Sequence, residues 1–176
     1  MVSHTVADQL QLPFLATLFS EIDAHYPVLR ALIPNDIPYD TKSSFSLYIN
    51  HRETFTGITD NDRSKTMRTF AEMVQKIEGL LGRAALDAFG NEFRSPGHVP
   101  ICVAAETLLN SRKGHTELVV ALLEMADLIP VGSGCEIMAD NGKASSKEQA
   151  QAYAAKNKLV FLEGNEIVEA WNQWSK

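Results

Sequence analysis

Four short stretches of this 176-residue chain put basic, hydroxyl, imidazole and carboxylate side chains where a fold commonly exposes them. In Ser111-Arg112-Lys113-Gly114-His115-Thr116-Glu117 a basic, glycine-containing loop feeds an amphipathic segment. The unpartnered backbone N–H groups and positive dipole end of a helix start favour an anion. Arg112 would add a planar fork of donors and Thr116 a hydroxyl, which together suit a phosphate. His115, where loop meets helix, would reach a metal ion or a substrate beside that phosphate. An ordinary capped helix behind a solvated basic loop would carry the same residues.

Phe93-Arg94-Ser95-Pro96-Gly97-His98-Val99 is a polar loop running into an apolar segment, and His98 is its candidate for chemistry. The alternative is a surface histidine in a turn made by Pro96-Gly97. Thr54-Phe55-Thr56-Gly57-Ile58-Thr59-Asp60-Asn61-Asp62-Arg63 is a threonine- and glycine-containing turn between a strand and a helix that would line a polyol site or simply cap that helix. Glu136 follows the apolar run at 131–135. A carboxylate there is either a proton-transfer group raised in pKa by desolvation, or one that leaves a sheet and meets water.

Elements must position these residues. Apolar spacing predicts a helix over 13–33, with Pro13 in its first turn. Turn residues follow at 34–40, then an alternating strand at 43–50 with Phe45, Leu47 and Ile49 on one face and Ser46, Tyr48 and Asn50 on the other. Thr59 through Asp62 reads as a capped helix start, with Met67, Phe70, Met73, Val74 and Ile77 along one stripe. An irregular stretch at 90–97 leads to a short strand at 99–103, whose Pro100 argues for an edge or end position. A helix at 115–127, a strand at 131–138 and a turn at 140–142 come next. A helix capped by Ser145 and Glu148, a strand at 159–162 and a helix at 166–174 complete the order. Alternating helices and strands with no repeat or linker predict a single domain of helices layered on a sheet.

Composition narrows the function. With 45% apolar and 22% charged residues the chain can bury a core. Its net charge of −6 argues against non-specific hold on nucleic acid. No apolar run is long enough to span a membrane and the first residues lack a secretory pattern, so the expectation is a cytoplasmic protein. Cys102 and Cys135 lie in apolar runs far from any C-x-x-C spacing and read as buried thiols. His4, His25 and His51 read as surface or capping residues.

Together and in this order, residues 55–63, 93–99, 112–117 and Cys135-Glu136 closely resemble the signature segments of 3,4-dihydroxy-2-butanone-4-phosphate synthase. Residues 34–40, 42–46 and 50–56 look like its archaeal branch, and the resemblance runs from about Val2 to Trp171. It implies a three-layer α/β/α fold with a mixed sheet, incomplete at the N-terminus, and a homodimer with sites at the subunit interface. It further implies a lyase that uses Mg2+ (or Mn2+) to convert D-ribulose 5-phosphate into L-3,4-dihydroxy-2-butanone 4-phosphate and formate. By the same resemblance Arg112, Lys113, Gly114, His115, Thr116, Thr56, Thr59 and Glu136 bind the sugar phosphate. His115 is a metal ligand, and Glu136 and His98 are catalytic. Family members carry an acidic loop of the form Asp-x-x-x-Arg-Glu-x-Glu-x-Asp, with a metal-binding glutamate, ahead of the equivalent of Leu12-Pro13-Phe14. The expectation is that this chain lacks that segment. Two further readings therefore stay open: a non-catalytic homologue that keeps a sugar-phosphate pocket or a dimer surface, and an enzyme whose start lies upstream.

Overall fold

The computed structural model describes residues 1–33, 37 and 43–175, which divide into two compact units, Met1–Gly132 and Ser133–Lys176. The turn expected at 34–40 falls outside the described residues apart from Ile37.

In the first unit, Ser3 accepts the Val6 N–H on its Oγ at 3.2 Å and so caps α1 (His4–Gln9), an element absent from the periodicity reading. The helix expected over 13–33 is two helices, α2 (Leu15–Ile22) and α3 (Pro27–Leu32). Pro27 has no N–H to continue the first and a fixed φ suited to starting the second. Asp23 and Arg30 join the pair through a 2.8 Å ion pair. The strand β1 (Phe45–His51) is followed by α4 (Asp60–Lys76), where Thr59 accepts the Asp62 N–H at 3.3 Å as the cap reading required. The clean alternation expected of β1 is not observed. Ser46 and Asn50 are buried while Phe45 is exposed, because both α2 and α4 pack on this strand and its polar positions are covered too.

The stretch at 90–97, expected to be irregular, closes α5 (Arg83–Glu92) and opens β2 (Phe93–Cys102), which pairs antiparallel with β1. Ile49 faces Val99, yet the next residue, Asn50, faces Arg94, so Ser95 to His98 stand out of the ladder as a bulge. Val2 extends the pairing, parallel to Val103 and antiparallel to Val131, which makes it mixed. A short 3₁₀ turn (Leu108–Asn110) leads into α6 (His115–Met125). The core gathers Val2, Leu10, Ile49, Phe70, Met73 and Ile101, with the Phe70 ring edge-on to Phe89 and Phe93 at 5.9 and 5.7 Å.

The second unit holds α7 (Lys147–Lys156) and α8 (Gly164–Trp174). The capping box of α7 uses Ser146 and Gln149, one residue later than Ser145 and Glu148. Lys147 reaches Glu163, the N-cap of α8, at 2.6 Å. Strands expected at 131–138 and 159–162 do not form; only Val131 and Met138 make single bridges, Met138 to Ala144 around Gly142. The expected class of mixed helix and strand holds. Among the described residues no helix is long and apolar enough to cross a membrane.

Candidate active site

The head of α6 is built around a buried ion pair. Gly114 is its N-cap and supplies no side-chain cap, so the first-turn N–H groups meet no capping oxygen from that residue. Glu117, fully buried, accepts the Ala105 N–H at 3.0 Å on Oε1 and an Arg112 Nη1–H at 2.5 Å on Oε2. A buried carboxylate needs such partners, and here they aim the guanidinium along the loop that precedes the helix. Gly114 leaves room for this: a Cβ there would come within 2.6 Å of Arg112 Nη1 and 2.9 Å of Glu117 Oε2. Thr116 is buried beside Glu117, while Lys113 and His115 are exposed. A groove of about 580 Å3 opens alongside, lined among others by Thr17, Ser44, Glu106, Arg112 and Glu117.

A second cluster centres on Asn50, 4% exposed near the end of β1. Its Oδ1 accepts the backbone N–H of His98 at 2.9 Å. Its Nδ2 lies 3.4 Å from the Thr56 carbonyl and 3.1 Å from His98 Nδ1. Arg94 donates to the carbonyls of Thr54 and Phe55 at 2.9 and 3.3 Å. The Gly57 N–H donates to Asp62 Oδ2 at 2.8 Å, and Gly57 has φ +81°, a conformation glycine adopts at no steric cost. A Cβ on it would collide with the Asn50 amide. The threonine turn and the His98 loop, separate in sequence, thus share one buried amide. Thr56 and His98 are exposed and Thr59 caps α4.

Glu136 sits in the second unit, exposed and outside any helix or strand. Of its two readings, the one in which the carboxylate meets water holds, although the run at 131–135 forms no strand. Cys135 is likewise exposed, contrary to its reading as a buried thiol, while Cys102 is half-buried and burial pushes its thiol pKa up. His51, read as a surface or capping residue, is buried with Nδ1 accepting the Glu53 N–H at 3.2 Å. Sequence reasoning missed Asn50, Arg94 and Glu117. Alternation puts Asn50 on the same strand face as Ser46 and Tyr48, and nothing local to its motif marks Glu117.

Among the described residues no three His, Cys, Asp or Glu side chains gather as a metal site. Both oxygens of Glu117 are engaged, and magnesium wants a near-octahedral set of oxygens. These side chains do not by themselves fit a magnesium cage.

Residues 1–170 match the family model of 3,4-dihydroxy-2-butanone 4-phosphate synthase. The chain belongs to that family. It is 46% identical over 177 residues to the 3,4-dihydroxy-2-butanone 4-phosphate synthase of Methanosarcina mazei, covering 99% of this chain and 70% of that one. With the synthase of Methanothermobacter thermautotrophicus it shares 42% over 174 residues, covering 98% and 73%. A solved 3,4-dihydroxy-2-butanone 4-phosphate synthase, described in complex with two magnesium ions, superposes with a TM-score of 0.64 at 22% identity. The match covers 98% of this chain and 71% of that one, and it shows the fold. Membership makes this chain a riboflavin-biosynthesis enzyme of the lyase class.

Proposed function

We propose that this chain cleaves D-ribulose 5-phosphate into L-3,4-dihydroxy-2-butanone 4-phosphate and formate, with the head of α6 as the phosphate anchor. The products contain between them every atom of the substrate, so no redox partner is required. The observation that carries the assignment is the uncapped start of α6 beside Arg112, itself held by the buried Glu117. N–H groups of the first turn, the Thr116 hydroxyl and the guanidinium suit a phosphate dianion, with Lys113 and Gly114 completing the loop. Thr56 and Thr59 line the sugar end. Glu136 serves the proton movements of enolisation and dehydration, and His98 is the second catalytic residue.

A divalent cation, Mg2+ or Mn2+, would polarise the sugar oxygens when bound, with His115 as one ligand and the rest from outside the described cluster. Membership of an enzyme family disfavours the non-catalytic reading. We further propose one catalytic domain across both units, a homodimer and a cytoplasmic location, as the family resemblance implies.

Arg112→Ala and Thr116→Ala are expected to raise KM for ribulose 5-phosphate far more than they lower kcat, the signature of uniform substrate binding. Steady-state formate release measures both. A fall in kcat at unchanged KM would remove the anchor role.

A further inference from the structure

The Asn50 amide restricts what His98 can do. The His98 backbone N–H donates to Asn50 Oδ1 at 2.9 Å, and an N–H cannot donate to an NH2 group, so the amide orientation is set. Its nitrogen must then face the Thr56 carbonyl, a pure acceptor, and His98 Nδ1 at 3.1 Å. An amide nitrogen has protons to give and none to receive, which leaves Nδ1 only the acceptor role. In a neutral imidazole the remaining proton then sits on Nε2.

The surroundings hold this arrangement from both sides. The bulge at 95–98 carries His98 toward β1, and Gly97 lies so close to the Ile49–Asn50 backbone that a Cβ would collide with it. Gly57 lets the threonine turn pass over the same amide, and Arg94 pins that turn through two carbonyls. Asn50 is buried although Thr56 and His98 are exposed, so its own amide is shielded from water.

We propose that Asn50 is a positioning residue that locks His98 as the Nε2–H tautomer, so that His98 presents an N–H donor, not a base, to a substrate oxygen that gains negative charge. The proton stays on Nε2 and the bond strengthens as the enediolate forms. The catalytic half of this statement rests on the reading that His98 faces the substrate; the tautomer does not.

The test is long-range proton–nitrogen correlation NMR of the histidine rings in the nitrogen-15-labelled full chain, at a pH where the rings are neutral, with His98→Gln identifying the peak. Wild type is expected to show bare Nδ1 and protonated Nε2, with a through-hydrogen-bond coupling from the Asn50 side-chain nitrogen to Nδ1. In Asn50→Asp, where an oxygen replaces the donor, the proton is expected to move to Nδ1. His51, whose Nδ1 accepts from the Glu53 backbone, should keep its pattern and so report that the variant is folded. The same variant should lower kcat for formate release about 100-fold with little change in KM, on the scale of losing one donor to a developing oxyanion. An Nδ1–H ring in wild type, or a ring unchanged in folded Asn50→Asp, overturns the lock. If the variant does not fold, absence of the wild-type coupling overturns it alone. A switched tautomer with unaltered kcat supports the lock and removes His98 from catalysis.

Discussion

At the scale of single residues, environment separates side chains of one type. Cys102 is half-buried and burial holds its thiol pKa up, whereas Cys135 is exposed. Thiolate is the reacting form, so iodoacetamide should label Cys135 well before Cys102 in the native protein, as peptide mapping by mass spectrometry would show. Equal rates would contradict the two environments. The histidines divide in the same way. His51 is packed edge-on against Phe93 at 5.4 Å, while His98 is held by a side chain forty-eight residues earlier. None of these partners is written in local sequence. Arg112, Gly114, His115 and Thr116 could be picked out because their motif is contiguous. Asn50 could not, because its importance comes from a bulge on another strand.

At the scale of elements, the parts with explicit start signals were legible. The Thr59 cap and the stripe of α4, and the glycine before α6, mark helices that form where expected. The apolar runs at 131–135 and 159–162 misled because a short apolar run without alternation is compatible with strand, helix or extended chain, and only pairing decides. The β1–β2 bulge was invisible for the same reason, although Gly97 inside it is required on steric grounds. Gly97→Ala would press a methyl onto the Ile49–Asn50 backbone, which cannot rotate aside as a side chain would. The expected loss is about 3 kcal/mol, near the upper end for overpacking, measured by urea unfolding. Gly90 is the control: it lies within α5 with nothing within 4 Å of an added Cβ, so Gly90→Ala should stabilise by about 1 kcal/mol.

At the scale of the molecule, the first unit is tied together by contacts between residues far apart in the chain. Gln9 donates to the carbonyls of Ile77 and Leu80, both at 2.7 Å, and so joins α1 to the end of α4. The mixed class of fold was readable from the order of helical and strand patterns, but the partners of each strand were not, since pairing over such separations leaves no periodic trace. The bridges of Val2 to Val103 and Val131 have a kinetic meaning. A contact that closes more than a hundred residues carries a loop-closure cost that must be met before the contact stabilises anything, so it forms late and the chain folds slowly for its size. Val2, 1% exposed, should therefore be loose in the folding transition state. Val2→Ala, worth about 2 kcal/mol of stability, would leave the refolding limb of a chevron plot in place and speed unfolding roughly 30-fold. On the ribosome the same ordering means that Val2 waits until residue 131 has emerged, and until then the edge of the sheet that it covers is open to other chains.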